Sequence, residues 1–536
     1  MKKHPFLSWE RWLVGWYIVI LTGVYLLPEV GLKLPYGMHQ WRQCDAYSLA
    51  LNYFEEGRGL LEPAMHFIHG TSSGEAVGEF TGTYWLNAQL WKVVGLHPWT
   101  MRWMHLLLWL AGLVSLYFLG REWIGKRSSA WAVSMVMVSP LMAFYGANYL
   151  VNGAALGLVY LGWWWSYRYF RDGRSKDVVV ATVALTVALL FRPTMAIGLI
   201  PIGLAFFKAK QKPQWIGMLS IPLVIAVAWV VWSQAYNARM DSIYFCTTIR
   251  PIWDAIDPKA TWTSFTELML PQWYHGYVRW AVSVGCIVAV FAMGRHLKMK
   301  VNSRRSYLGF ASVLLCLALV AYIILWFSNL DVHDYYLLEF QLAVPVVLAW
   351  LLYRPEEWLR SLRIRKVLVR VVLPSLLIFQ AVEAGLRTRM KHTAPKGWLS
   401  ELFIPARERD IWNRFHRDYD RRLGSIEGMG EHLRSLGIAR TDRVISVPDP
   451  SPNITLSLMD VRGFTDLYDD GLSGDERIAT DVLQGANVLV CNDEEWYSAH
   501  AKSPWLTAPL SRYHSFRLFD LRASEGFVGS VLISEP

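Results

Sequence analysis

Residues 38–54 read MHQWRQCDAYSLALNYF. Five residues of distinct chemistry, His39, Trp41, Arg42, Gln43 and Asp45, fall within seven positions. Ala46, Leu49, Ala50, Tyr53 and Phe54 then recur at i, i+3, i+4, i+7 and i+8, the spacing of one apolar helix face. Asp45 stands at the head of that pattern, where Asp is a favoured N-cap. Trp41, Arg42 and Gln43 are more than a cap requires. A guanidinium close to a carboxylate favours its ionised form, the form a base needs, and also grips phosphate. The stretch follows the first apolar segment, so it stands where chain leaves a membrane. An interfacial helix headed by a carboxylate suits chemistry on a substrate held in the bilayer.

The chain of 536 residues is 54% hydrophobic with 28 Trp, and its apolar residues gather in runs rather than spreading evenly. A bilayer crossing needs roughly 20 such residues. The runs lie at about 12–29, 101–120, 129–146, 149–167, 178–191, 194–207, 215–233, 277–294, 307–327, 335–352 and 367–385. The first has no small-residue processing site after it, which argues against a cleaved secretory signal. One set of connections carries 23 Lys and Arg, among them Lys2, Lys3, Lys208, Lys298, Lys300 and the cluster from Arg354 to Lys366; the alternate, longer set carries 8. The first set is therefore assigned to the cytoplasm with the N-terminus. The net charge of +10 is explained by this loop bias and is not a nucleic-acid footprint. Arg192-Pro193 divides 178–207 into two short crossings, because Pro removes a backbone donor.

The expected architecture is an all-α polytopic membrane protein with about 11 transmembrane helices. Residues 1–385 form the transmembrane domain, with long outer loops at about 30–100 and 234–276. Residues 386–536 form an extracytoplasmic soluble α/β domain. Within it, Arg443–Val447, Val488–Cys491 and Val528–Ile533 are β-branched runs that suggest a partly parallel sheet. A second amphipathic stretch covers Thr83–Val94. The five cysteines, Cys44, Cys246, Cys286, Cys316 and Cys491, have no metal spacing; a Cys44–Cys246 disulfide competes with the default of free thiols. Asn453-Ile454-Thr455 matches a glycosylation sequon, a pattern common by chance.

Four further sites of chemistry lie in predicted outer connections. Glu79, in the same loop as Asp45, divides labour with it between base and orientation of a metal or substrate, or is a solvated loop acid. His333 and Asp334 offer a metal or phosphate contact, and Tyr335 and Tyr336 an interfacial one; the plainer alternative is a polar turn with an aromatic belt. Arg192 either binds a lipid phosphate or snorkels to the headgroups. A divalent metal is compatible with these residues, though its ligands are unknown.

Four motifs, HQWRQCDAYSLALNYF, GEFTGTYWLNAQLWKVVG, FRPTMA and HDYYLLEFQLAVP, resemble those of GT-C fold glycosyltransferases. The resemblance is to the protein mannosyltransferase-like group that includes the aminoarabinose transferases. It covers residues 10–385. It implies a GT-C fold and a polyprenyl-phosphate sugar donor. It also implies Asp45 as the catalytic or acceptor-activating acid, with Arg192 and the His333–Tyr336 turn facing the donor. His39, Trp41, Arg42 and Gln43 are expected at the substrate. The expected function is transfer to a glycan, lipid or protein hydroxyl at the outer face of the cytoplasmic (inner) membrane. A transporter or flippase of lipid-linked glycans is the rival class, although no paired halves repeat along the chain. A non-enzymatic scaffold is the third.

Overall fold

The computed structural model describes residues 6–69, 73–207, 209–242, 244–245, 249–296, 304–353, 367–467 and 474–522. Outside the described residues lie Lys2, Lys3, Lys208, Lys298, Lys300, Cys246, the cluster from Arg354 to Lys366 and the run Val528–Ile533. The chain forms two compact units. One comprises Met1–Leu34, Trp99–Val231 and Thr247–Arg409; the other comprises Pro35–Pro98, Trp232–Cys246 and Asp410–Pro536. Residues 386–409 thus go with the first, and the segments 35–98 and 232–246 go with the second.

Among the described residues, five helical stretches are long and apolar enough to cross a membrane. They are Trp99–Ile124, Lys212–Arg239, Arg304–Leu325, Asp334–Leu352 and Arg370–Met390. Shorter apolar helices cover Leu13–Gly23, Pro193–Phe206 and Gly276–Val288. The break at Pro193 is present: one helix runs Ser175–Phe191, Arg192 is extended, and a 3-10 turn occupies Pro193–Leu199. Pro disfavours the α conformation in the residue before it, and Arg192 shows this.

In the first unit the helices Trp99–Ile124 and Asn152–Asp172 meet through glycines. A Cβ on Gly112 would lie 2.3 Å from the Gly157 Cα, and one on Gly157 would lie 2.5 Å from the Leu108 carbonyl oxygen. Small residues let backbones approach where lipid offers no hydrophobic drive for association. Cys286 and Cys316 are free thiols with their sulfurs 2.9 Å apart, and Cys44 and Cys491 are free and buried.

The second unit is built on a five-stranded sheet in the order β2-β1-β3-β5-β4. The strands are β1 (Arg443–Val447), β2 (Arg462–Thr465), β3 (Ala486–Cys491), β4 (Pro509–Tyr513) and β5 (Phe516–Asp520). β1 pairs in parallel with β2 and β3, while β5 is antiparallel to both β3 and β4. Val444, Val488, Val490 and Leu518 face one core; Ile445, Leu489, Cys491 and Phe519 face the other. Both faces are covered, as the unbroken β-branched runs require. The segment around Phe67 extends the β2 edge: Ile68 N–H donates to the Gly463 carbonyl at 2.7 Å, and Gly463 N–H donates to the His66 carbonyl at 3.0 Å. Gly463 has φ +154, and a Cβ there would lie 1.8 Å from the Val444 carbonyl oxygen, so only glycine fits.

The Asp45 helix departs from expectation in two ways. It begins at Gln40, so Asp45 lies inside the helix and is not its cap; the N-cap is His39 in the left-handed region. The Gln43 amide donates to the Tyr36 and Met38 carbonyls, both at 2.9 Å, and fixes the turn that starts the helix early. The helix is also buried on every side from Gln43 to Tyr53 rather than lying with one face in an interface. Two of its buried polar residues are satisfied within the protein: Asn52 donates to the Ala64 carbonyl at 2.8 Å, and Ser48 bonds His66 at 2.7 Å. The helix Gly82–Val94 carries an exposed apolar stripe, Leu86, Leu90 and Val93, opposite buried Tyr84, Ala88 and Trp91.

Substituting Gly157 by Val forces the Trp99–Ile124 and Asn152–Asp172 helices apart and lowers stability by about 1–3 kcal/mol. Thermal unfolding in detergent reads this as a lower midpoint. Gly203→Val, where nothing lies within 4 Å of the added Cβ, leaves the midpoint unchanged.

Candidate active site

The second unit brings four of the expected residues, Asp45, Arg42, Glu79 and Trp41, together with Tyr244, Asn453, Tyr84 and Phe245. Asp45 is 1% exposed. Its Oδ2 accepts from Arg42 Nη1 at 2.8 Å and from the Tyr244 hydroxyl at 2.9 Å. Its Oδ1 accepts from Asn453 Nδ2 at 2.9 Å. Arg42 and Asp45 share a helix face three residues apart, which brings guanidinium to carboxylate without help from the rest of the fold. The other end of the guanidinium, Nη2, donates to Glu79 Oε2 at 2.9 Å, and Tyr84 donates to Glu79 Oε1 at 2.6 Å. The Phe245 ring lies 5.0 Å from the Arg42 guanidinium carbon. The Trp41 indole N–H donates to the Tyr244 hydroxyl, and the two rings are stacked.

Burial pushes the Asp45 carboxyl above its ordinary range, against the opposing pull of Arg42 and the hydrogen bonds from Asn453 and Tyr244. Desolvation therefore outweighs the neighbouring cation, the reverse of the balance expected from spacing alone. Burial and the adjacent Asp45 push the Tyr244 phenol well up, so it keeps its proton and remains a donor. The result is a carboxylate held by three donors from three parts of the chain, a geometry suited to accepting one proton.

Asn453 stood out in the sequence only as part of a sequon. It is completely buried and its amide is committed to Asp45, so in the folded chain it carries no glycan. Its Oδ1 accepts from Phe67 N–H at 3.2 Å and from Ser48 at 3.3 Å. Asp449 fixes the loop that carries it, accepting from Ser451 N–H at 3.0 Å and Thr455 N–H at 2.9 Å as well as from both hydroxyls. The only local signal is the run PDPSPN, which marks a rigid turn. His39 is half-buried at the helix start, and Gln43 is spent on backbone carbonyls.

The remaining expected residues belong to the first unit. Arg192 donates to Glu339 Oε1 through Nε at 3.0 Å and Nη2 at 2.6 Å, and Thr194 donates to the same oxygen. The Tyr335 and Tyr336 rings lie 5.8 and 5.1 Å from the Arg192 guanidinium carbon. The His333 ring stacks on Tyr335. Asp334 is fully buried, accepting from Tyr145 at 2.5 Å and from Lys391 Nζ at 2.9 Å. Glu339 and Lys391 carry no signal in the sequence, where an acid inside an apolar run and a Lys beyond the last span give no hint of their partners.

Among the described residues no group of three His, Cys, Asp or Glu side chains comes together as a metal site. Asp45 and Glu79 hold a guanidinium between them, so the donor set suits Arg42.

Residues 81–235 match the family described as dolichyl-phosphate-mannose-protein mannosyltransferase. No curated protein matches the chain by sequence. Solved structures of similar fold include ArnT from Cupriavidus metallidurans in the apo state. It is 12% identical with a TM-score of 0.53, covering 96% of this chain and 99% of that one. The mycobacterial arabinofuranosyltransferase AftD is 14% identical with a TM-score of 0.52, covering 95% of this chain and 40% of that one. The Archaeoglobus fulgidus oligosaccharyltransferase is 11% identical with a TM-score of 0.51, covering 89% of this chain and 67% of that one. The chain is thus a multi-pass membrane protein with the GT-C fold of these glycosyltransferases, as the four motifs led one to expect.

Removing the Arg192 side chain leaves the Glu339 carboxylate buried without its cation, a change that costs about 3–5 kcal/mol. Arg192→Ala is therefore expected to lower the thermal midpoint sharply. The double variant Arg192→Ala/Glu339→Gln is expected to recover part of the loss, and equal midpoints for the two variants would contradict the pairing.

Proposed function

We propose that this chain is a membrane glycosyltransferase that moves a sugar from a polyprenyl-phosphate donor to an acceptor hydroxyl. The observation that carries the reading is the Asp45 carboxylate, buried and held by Arg42, Tyr244 and Asn453. The similarity of the fold to known lipid-phosphate-sugar glycosyltransferases supports the class of donor. The reaction takes place at the outer face of the cytoplasmic membrane. By the loop-charge bias the N-terminus is cytoplasmic, and eleven crossings leave residues 410–536 outside. The acceptor is a glycan, a lipid or a protein.

In this reading the acceptor oxygen attacks the anomeric carbon from the face opposite the phosphate, and configuration inverts. The bond between the anomeric carbon and the phosphate oxygen breaks, and polyprenyl phosphate leaves with the electron pair. Asp45 takes the acceptor proton. Tyr244 and Asn453 hold the carboxylate in place, so little reorganisation is needed as the proton arrives. Arg42 offsets negative charge beside it, and Glu79 with Tyr84 fixes the far end of that guanidinium. Trp41 supplies a half-exposed ring for the substrate, while His39 and Gln43 shape the turn ahead of it. In the transmembrane unit, Arg192 with His333, Tyr335 and Tyr336 forms a cluster assigned to lipid phosphate, and Asp334 fixes its turn through Lys391. The exposed Leu86, Leu90 and Val93 stripe suits a helix resting on lipid.

Purified protein with a fluorescent polyprenyl-phosphate sugar tests this directly. Transfer with release of polyprenyl phosphate is expected, whereas movement across a bilayer without cleavage would indicate the flippase. Asp45→Asn is expected to lower kcat at least about 100-fold, the scale of general-base catalysis, in protein that still inserts and runs as a single species on gel filtration in detergent.

The acid limb of the kcat/KM profile tests the electrostatics. Asp45 is active when deprotonated, so activity falls as pH drops through its pKa. Arg42 and Asn453 both lower that pKa. Arg42→Ala and Asn453→Ala are therefore expected to move the limb to higher pH; movement to lower pH would contradict the assignment.

A further inference from the structure

At one end of the transmembrane unit lies an apolar cavity of about 430 Å³, within the size range of ligand pockets. The ends of helices Trp99–Ile124 and Asn152–Asp172 enclose it together with the starts of Lys126–Met137 and Arg304–Leu325. Buried Ala132, Val133 and Ala311 form part of its wall. Arg171, Arg304 and Tyr307 stand where the wall turns polar. Arg304 lies over the Trp123 ring and donates to the Glu122 backbone carbonyl at 3.1 Å, an uncharged acceptor that leaves its charge for an anion.

The surrounding connections reinforce this sign. Among the described residues, 121–127, 168–177, 209–212 and 304–305 hold eleven Lys or Arg against three carboxylates, Glu122, Asp172 and Asp177. The three acids meet arginines: Glu122 and Asp172 face Arg171, and Asp177 faces Arg168. The described residues of these connections thus carry a net charge of +8.

The cavity is also remote from the Arg192 cluster. The 17-residue helix Ser175–Phe191 separates the Arg171 end from Arg192, about 25 Å at 1.5 Å per residue. One lipid phosphate therefore cannot serve both places.

The geometry points to a binding site for an anionic glycerophospholipid, with an acyl chain in the cavity and its phosphate at Arg304, since the Arg171 guanidinium is taken up by Asp172 and Glu122. The apolar wall receives hydrocarbon, and the cationic rim selects lipids with net negative charge over zwitterionic ones. The site is about 25 Å along the helix from Arg192, so its occupant is distinct from the lipid phosphate assigned there.

Photo-crosslinking of the full chain in nanodiscs tests the assignment, using phosphatidylglycerol with a diazirine near the acyl end. Labelled peptides are expected from 116–133, 163–171 and 304–311, and unlabelled phosphatidylglycerol is expected to compete at lower concentration than phosphatidylcholine. Arg304→Ala is expected to weaken competition by about 5-fold, the effect of one interfacial cation. Ala311→Trp, which fills the chamber, is expected to abolish cavity labelling. Label confined to outward faces such as Val224 to Val231, equal competition by phosphatidylcholine, or stronger displacement by polyprenyl phosphate would each overturn the proposal. The labelling map of the unsubstituted protein decides the matter even where a variant fails to fold.

Discussion

The Arg42 guanidinium bridges two carboxylates, Asp45 at 2.8 Å and Glu79 at 2.9 Å, and the arrangement of the sheet-containing unit follows from that constraint. A buried carboxylate is costly unless it is paired and hydrogen-bonded. Asp45 meets both conditions with one cation and two neutral donors, and burial still raises its pKa. A base in this state is ready for a proton and shielded from bulk water. Removing any one donor leaves the cost of burial and takes away part of what offsets it.

This requirement explains why distant segments fold as one compact unit. Asp45 comes from 35–98, Tyr244 from 232–246 and Asn453 from the segment after β1. The Phe67 segment pairs with Gly463 on the β2 edge and donates the Phe67 backbone N–H to Asn453 Oδ1. The backbone of one segment thus holds the side chain of another against the carboxylate. The sheet, to which the sequence assigns no role, carries a ligand of the candidate base.

The transmembrane unit solves a related problem with charges of both signs. Arg192 with Glu339 and Lys391 with Asp334 are ion pairs whose acids are fully buried. Each pair fixes a turn that hydrophobic packing alone would leave underdetermined, because apolar contacts have no direction.

Local pattern is enough for much of the fold. Apolar runs, loop charge and Arg192-Pro193 are relations between neighbouring residues, and they mark the membrane character and the helix break by themselves. The Arg42–Asp45 contact is legible for the same reason, being three residues apart on one helix. The helix start at Gln40 and its burial on every side are not legible, since periodicity reports a face and not what covers it. Tyr244 and Asn453 lie 199 and 408 residues from Asp45, and Glu339 lies 147 from Arg192. Sequence alone determined which residues are charged, apolar or helix-breaking. Only tertiary structure decided which buried charge meets which donor, because a hydrogen bond is set by position within a few tenths of an ångström and separation along the chain does not encode that position.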